Sequence, residues 1–153
     1  MSLQIKIKMS GLERVIRLST RAFDAIYSDL ADINISSATR ILGKAKEFAP
    51  VDTGRLRASL NIQVKEGGLH VQVGTNVRYA KPVEFGSRPH FPPRAPIKLW
   101  TRRRKPGYSY MGILWGIANR GIKAQPFLRP AIAEESGRWK ANMDSYFEDT
   151  GAF

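Results

Sequence analysis

The sequence predicts an α+β fold, and three observations point to this class. Apolar and polar residues alternate over 3–8 and again over 60–73, on both sides of a glycine-containing turn, as they do in half-buried strands. Between these segments, apolar residues recur every three or four positions over 12–48, as in a long amphipathic helix. Helical patterns return in the second half: Pro96 is predicted to open a short basic helix, and Gly121 to end the next one. We therefore expect a single domain over 1–153, with the long N-terminal helix packed on a small antiparallel sheet (the N-terminal strand plus a β-hairpin) and further helices in the C-terminal half.

The predicted N-terminal helix has a clear start and a clear end. Ser10 and Glu13 form a capping box before it, and Pro50 prevents its continuation. A straight helix over 12–48 would be about 55 Å long, whereas a compact domain of this length has a radius of gyration of about 15 Å. The helix is therefore expected to bend, to break near 34–37, or to project beyond its own core toward a partner.

The segment that follows this helix, 49–60, contains a tripeptide known from enzymes. Asp52-Thr-Gly matches the motif that carries the catalytic carboxylate of aspartic proteases, but those enzymes need two carboxylates that share a proton. Here Asp52 follows a helix and not an apolar strand, and bulky Arg55 comes directly after the glycine. Asp52 is instead predicted to be the N-cap of a short helical turn that ends near Leu60.

Positive charge is concentrated in the middle of the chain. The net charge is +12; residues 78–105 hold nine Lys or Arg against one acid, Glu84, whereas residues 134–153 hold five acids and two bases. This asymmetry suggests a polyanionic neighbour, or a basic surface of one copy that meets an acidic surface of another, although a solvated basic loop explains the charge equally well. Four prolines stiffen the loop over 87–96 ahead of the basic run. The candidate interface comprises Arg94, Lys98, Trp100, Arg102, Arg103, Arg104 and Lys105.

Residues that could catalyse a reaction or hold a metal are not grouped in this sequence. It contains no cysteine, which excludes a disulfide scaffold and a cysteine nucleophile and favours assembly in a reducing cytosol. His70 is predicted to be a solvated strand residue, and His90 lies in a loop without a carboxylate partner. Dinucleotide-binding, P-loop and zinc-protease motifs are absent, and the longest apolar stretch, 111–118, is shorter than the ~18 residues that span a bilayer. We therefore predict a protein that is not an enzyme, with no catalytic residue, no cofactor, no metal and no membrane partner.

Three motifs, in this order, resemble a known family: APVDTGRLRASL after a long amphipathic helix, VGTNVRYAKPVEFGS at the end of a hairpin, and AQPFLRPAI. The family is that of the tail-component (tail-completion, or neck) proteins of long-tailed bacteriophages, which are small α+β proteins that assemble as rings between the capsid portal and the tail tube. The resemblance covers most of residues 3–133. The basic, proline-rich segment over 87–121 departs from the plainest members and resembles an insertion found in a subset of them.

The resemblance implies a non-enzymatic structural protein of the virion, namely a ring subunit of the head–tail joint in the tail-completion (terminator) or neck layer. The implied partners are other copies of the chain in a sixfold ring, other neck or tail-tube proteins, and packaged DNA in passing. The implied location is the neck or tail of the virion, after assembly in the bacterial host cytoplasm. The alternative function is a free nucleic-acid-binding protein that uses the basic run over 102–105.

The resemblance also implies a structural corner between the long helix and the hairpin. In this corner Gly54 allows tight passage of the backbone, Leu56 covers the core and Arg55 remains available for pairing. Four further side chains are predicted to pack in the core or corner, namely Tyr79, Phe85, Phe127 and Leu128. The full corner set is Asp52, Gly54, Arg55, Leu56, Tyr79, Glu84, Phe85, Gly86, Pro126, Phe127, Leu128, Arg129 and Pro130.

Overall fold

The computed structural model describes the backbone of residues 12–150 and the side chains of residues 19–150. Its elements follow the order α1 (Leu12–Phe48), α2 (Arg55–Ser59), β1 (Asn61–Lys65), β2 (His70–Gly74), α3 (Ala80–Phe85), α4 (Arg94–Arg104), α5 (Tyr110–Arg120) and α6 (Leu128–Thr150). The predicted α+β class, with a long N-terminal helix, an antiparallel hairpin and helices in the C-terminal half, is confirmed. The predicted strand over 3–8 and the side chains of the capping box, Ser10 and Glu13, lie outside the described residues.

α1 is a single helix of 37 residues, about 55 Å long, so the break considered near 34–37 does not occur. α6 lies antiparallel to it. The indole Nε1 of Trp139 donates to Oδ1 of Asn34 at 2.9 Å, and the hydroxyl of Tyr146 donates to Oδ2 of Asp29 at 3.3 Å. Positions further along α6 thus meet positions further back on α1. The long helix is accommodated because a second long helix runs beside it, a pairing that the sequence did not predict.

The hairpin that the alternating pattern predicted pairs β1 with β2, in the register Asn61↔Gly74 to Lys65↔His70. Its turn is fixed to α1 at Gly68, whose φ is 105° and where a Cβ would lie 2.6 Å from the Cβ of Ala31. Nδ2 of Asn34 also donates to the carbonyl oxygen of Leu69 at 3.2 Å. The turn therefore needs glycine for two reasons, a positive φ and close helix contact.

The hydrophobic core lies at the C-terminal end of α1, where α2, α3 and the start of α6 meet it. Its buried members are Ala45, Ala49, Leu56, Leu60, Ala80, Phe127 and Ala131. Four alanines let the backbone elements approach closely, and the Phe127 ring fills the space between them. Phe23, on the apolar stripe of α1, is 61% exposed, because the core lies about six helical turns further along.

The segment over 87–121, here called the insertion arm, leaves the core at α3 and returns before α6. An isolated antiparallel bridge between Ser87 and Ile122 closes its base. α4 begins at Arg94, two residues before the predicted start, and Pro96 lies in its first turn, where a missing N–H is harmless. Thr101 of α4 and Leu114 of α5 are buried. α5 ends at Gly121 as predicted, with φ 75°; a Cβ there would lie 2.0 Å from the carbonyl oxygen of Ser87.

Candidate functional site: the corner and the insertion arm

Glu84 lies at the centre of the corner, where its carboxylate binds the start of α6. Its carboxylate accepts the backbone N–H groups of Phe127 at 2.7 Å, Leu128 at 2.9 Å and Arg129 at 2.9 Å. These donors belong to the first turn of a helix, where amides have no intrahelical partner and the helix dipole favours negative charge. An acid on α3 therefore caps α6 from a position more than 40 residues earlier in the chain.

The Glu84 carboxylate is held in its ionised form. Burial opposes ionisation, since only 5% of the residue is exposed. The amides of Leu128, Phe127 and Arg129 and the Arg129 guanidinium outweigh burial, so the pKa of Glu84 lies below its ordinary value. Nε of Arg129 lies 3.3 Å from Oε1. Glu84 was placed in the corner by its motif alone, and neither spacing nor composition indicated its partners.

Two aromatic residues predicted to pack inward lie on the surface instead. Phe85 is 59% exposed and Tyr79 is 43% exposed, so their predicted burial is wrong. The reason is helical spacing: α3 turns Ala80 and Glu84 inward, and the residues just before and just after this pair face outward. The Phe85 ring lies 5.0 Å below the Arg129 guanidinium.

Gly86 and residues 125–130 hold α3 against the chain that enters α6. Phe127 is only 2% exposed and lies in the core, with Leu128 packed against it. A Cβ on Gly86, which has φ 75°, would lie 2.7 Å from the carbonyl oxygen of Ile122. The Gln125 N–H donates to the carbonyl oxygen of Val83 at 2.8 Å. Pro126 is exposed and Pro130 is half-buried in the first turn of α6.

The prediction that Asp52 is an N-cap is wrong. α2 is capped by Gly54, which has φ 78° and makes no side-chain cap, and Asp52 lies two residues too early to reach the free amides of α2. Oδ1 of Asp52 instead accepts from Nε of Arg103 at 3.3 Å and from Nε of Arg104 at 3.2 Å. Arg104 also donates to the backbone carbonyl oxygens of Val51 and of Asp52. The Arg103 hydrogen bond is the main cause that lowers the pKa of Asp52; burial opposes this shift, and Arg104 adds to it.

Asp52 and the two arginines form a contact, here called the tether, between the corner and the last turn of α4. The Asp52 side chain is 29% exposed, and those of Arg103 and Arg104 are 44% and 43% exposed. Water reaches all three groups, so the tether is weaker than the buried Glu84 cap. Leu56 of the same corner segment is buried, and Arg55 is exposed on α2.

The structure divides the predicted interface residues into two sets. Arg103 and Arg104 turn back onto Asp52, and Trp100 is half-buried. The other four are exposed to solvent. Arg94, Lys98 and Arg102 recur every four residues and form one stripe on α4, and Lys105 follows the end of that helix.

Aromatic rings accompany the displayed bases. The Lys98 ammonium lies 6.0 Å from the Tyr110 ring, and the Lys105 ammonium lies 5.4 Å from the Tyr108 ring. Phe91 and Trp115 stack edge to face at 5.5 Å, although they are 71% and 54% exposed. The arm therefore exposes both positive charge and apolar surface, a combination that suits an interface.

α1 and α6 are also joined by ion pairs that sequence reasoning missed. Glu135 is 1% exposed and accepts from Nε of Arg40, and Lys44 pairs with Glu134. The only sequence signal was two adjacent acids facing two bases that lie four residues apart on another helix. Such a signal has meaning only once the two helices are known to be neighbours.

The described side chains form no grouping of three or more His, Asp or Glu that could hold a metal ion. Nor is any helix within 12–150 long and apolar enough to cross a bilayer. The histidines make local hydrogen bonds: His70 with Gln72 at 3.0 Å, and His90 with the carbonyl oxygen of Arg88 at 2.9 Å.

The sequence contains a second Asp-Thr-Gly, at 149–151, which bears on the protease interpretation. Asp149 lies in the last turn of α6, whose Tyr146 bonds Asp29 on α1, whereas Asp52 follows the C-terminal end of α1. About 30 Å of helix separates Asp29 from Phe48, so within one chain the two carboxylates cannot share a proton.

The comparison with protein families finds a match that covers part of the corner. Residues 33–86 match the family model described as Bacteriophage HK97-gp10, putative tail-component. This span runs from the middle of α1 through α2 and the hairpin to the end of α3, and it includes Asp52 and Glu84. No curated protein and no solved structure matches the chain. The resemblance to the tail components of long-tailed phages, predicted from three sequence motifs, is thereby confirmed over residues 33–86.

Proposed function

We propose that this chain is a non-enzymatic structural protein of the virion, a ring subunit of the head–tail joint in the tail-completion (terminator) or neck layer. The observation that carries the proposal is the family match over residues 33–86, because these residues form one connected part of the fold. Six copies are expected in the ring, next to other neck or tail-tube proteins. Assembly takes place in the bacterial host cytoplasm, and DNA passes through the finished ring.

The shape of the chain supports assembly with other copies. α1 runs for about nine turns before it reaches the core at Ala45, and in that part Phe23 and Tyr27 are 61% and 54% exposed. These two side chains lie four residues apart and so share one face of α1, and a contiguous exposed apolar patch suits contact with another surface. A subunit that presents different surfaces at its two ends forms contacts that close into a ring when the rotation permits.

The tether counts against the alternative, a free nucleic-acid-binding protein that uses residues 102–105. Two of the four bases, Arg103 and Arg104, are paired with Asp52. Of this run, only Arg102 and Lys105 make no ion pair with a described side chain, and affinity for nucleic acid depends on the number of phosphates neutralised.

The experiment that tests the proposal locates the subunit in the particle. Deletion of its gene from the phage or prophage should yield separate heads and tails, and a tagged copy should restore joined particles. The tag should then be seen at the head–tail joint by electron microscopy, and cross-linked particles should give a ladder that ends at six copies. Joined, infectious particles without the chain, or a tag elsewhere in the particle, would contradict the proposal. Free chain that binds DNA tightly and never enters particles would favour the alternative.

A further inference from the structure

Acidic side chains gather at the end of the molecule that lies away from the core. This acidic end comprises residues 19–32 of α1 and 139–150 of α6, which hold six acids against two bases, a net charge of −4. All six acids are exposed: Asp24, Asp29, Asp32, Asp144, Glu148 and Asp149. The hydrogen bond from the Tyr146 hydroxyl to Asp29 holds the two helices side by side there.

The insertion arm is the opposite surface in charge and in position. Residues 87–121 contain no acid. With Arg103 and Arg104 held by Asp52, the five remaining bases of 87–105 are exposed and make no ion pair with any described side chain: Arg88, Arg94, Lys98, Arg102 and Lys105. The same arm exposes Leu99, Met111 and Trp115.

One copy of the chain cannot bring these two surfaces together. The tether attaches the arm next to the C-terminal end of α1, and about 36 Å of helix separates Asp24 from Phe48. Charges at the protein surface are screened within about 10 Å at ordinary ionic strength. A negative partner for the positive surface would therefore have to come from another molecule.

We infer that the insertion arm of one copy docks on the acidic end of the next copy; this contact rests on the ring assembly proposed above and specifies its interface. Opposite charges select the orientation of the two copies. Exposed aromatic and aliphatic groups lie on both sides, with Phe23 and Tyr27 on the acidic end and Leu99 and Trp115 on the arm, and such groups supply most binding energy in interfaces. Since the two surfaces differ, each copy can use one toward each neighbour, and the contact repeats around a ring.

Charge reversal on each surface tests this contact in the full-length chain. The arm variant carries Arg94→Glu, Lys98→Glu and Arg102→Glu. The end variant carries Asp144→Lys, Glu148→Lys and Asp149→Lys. A control with the same change of charge as the arm variant, but on other exposed residues, carries Arg57→Glu, Lys65→Glu and Arg78→Glu. Circular dichroism checks that all of them fold, and sedimentation at low salt and high protein concentration measures assembly.

The wild-type chain and the control are expected to assemble, and each surface variant alone is expected to stay monomeric. An equimolar mixture of the two surface variants should assemble again, because the acidic arm of one now faces the basic end of the other. Assembly of either surface variant alone, or a mixture that stays monomeric, would overturn the inference and leave the ring proposal standing. A wild-type chain that stays monomeric throughout, yet binds duplex DNA through the arm, would overturn both.

A carbodiimide cross-link gives a second, independent readout, since it joins a lysine to a carboxylate in contact with it. In a mixture of isotope-labelled and unlabelled wild-type chains, mass spectrometry is expected to find Lys98 or Lys105 linked to acids of 144–149 on a different copy. Lys140 belongs to the acidic end itself, so its links within one copy are expected in any case. Links only from lysines outside the arm, or links confined within one copy, would overturn the inference.

Discussion

The corner and the insertion arm are each held by one carboxylate, and the two carboxylates work in different ways. Glu84 is 5% exposed and accepts three backbone amides whose positions are fixed by the start of α6. The Asp52 side chain is 29% exposed and accepts two arginine side chains that can move. The same chemical group therefore builds the fold in one place and attaches a surface element in the other.

The two carboxylates should differ in their contribution to stability, because their removal leaves different groups without a partner. Removal of Glu84 leaves buried amides without acceptors, and the cost of such groups is large. Removal of Asp52 leaves Arg103 and Arg104 close to water, where they can be solvated. Stability should therefore depend on the corner, and the position of the arm should depend on the tether.

The largest effect on stability is expected from a comparison of two aromatic substitutions, one at a buried corner position and one at an exposed corner position. Phe127→Ala should lower the free energy of unfolding by about 3–5 kcal/mol, because it opens a cavity in the core. Phe85→Ala should cost less than about 1 kcal/mol, because it loses only the contact with Arg129 at the surface. Urea unfolding followed by circular dichroism measures both. Equal losses would mean that Phe85 is packed in the core, as the sequence suggested.

Glu84→Ala should lower the free energy of unfolding by about 3 kcal/mol, since the amides of Phe127, Leu128 and Arg129 lose their common acceptor. Glu47→Ala is the matched control, because Glu47 is an exposed acid in the last turn of α1 and should change stability by less than about 0.5 kcal/mol. A Glu84→Ala protein as stable as this control would show that the α6 amides find other acceptors.

The Glu84 cap also predicts how stability depends on pH. The folded-state pKa of Glu84 is lowered, so at acid pH the unfolded chain binds more protons than the folded one. The stabilisation is complete above pH 4.5, the ordinary value for a glutamate, and is lost as pH falls below it through the lowered folded-state pKa. Urea midpoints from neutral to acid pH should fall more for the wild type than for Glu84→Gln. Parallel curves would mean that other groups carry the acid sensitivity.

The corner was more predictable from sequence than its contacts were. Local patterns located the hairpin through alternation, the end of α1 through Pro50 and the end of α5 through Gly121. They failed where a partner lies far along the chain: Glu84 meets residues 127–129, and Asp52 meets Arg103 and Arg104. The N-cap rule considers only nearby residues and therefore assigned Asp52 to the nearest helix, α2. Asp52 cannot reach the free amides of α2, whereas its carboxylate forms strong hydrogen bonds with two guanidinium groups.

The smallest effect on stability is expected from substitutions of Asp52. A comparison of Asp52→Asn with Asp52→Ala shows whether this carboxylate acts as a helix cap or as the tether. An N-cap tolerates Asn, so a cap would make Asp52→Asn nearly as stable as the wild type and Asp52→Ala less stable. A tether needs negative charge, so both substitutions should behave alike and lower the free energy of unfolding by about 1 kcal/mol or less, an amount that shrinks at high salt.

The arm itself should respond more than global stability does. Limited trypsin digestion should cut Asp52→Asn within 87–121 faster than the wild type, because the last turn of α4 is no longer held against the corner. Glu66→Gln, which removes an exposed charge in the hairpin turn, should be cut at the wild-type rate. Replacement of both Arg103 and Arg104 by Gln removes trypsin sites, so the reciprocal test uses a protease that cuts after aromatic residues. Adding Asp52→Asn to that double variant should change the rate no further, since the three side chains act as one unit. Fully additive rates would show that Asp52 holds something other than these two arginines.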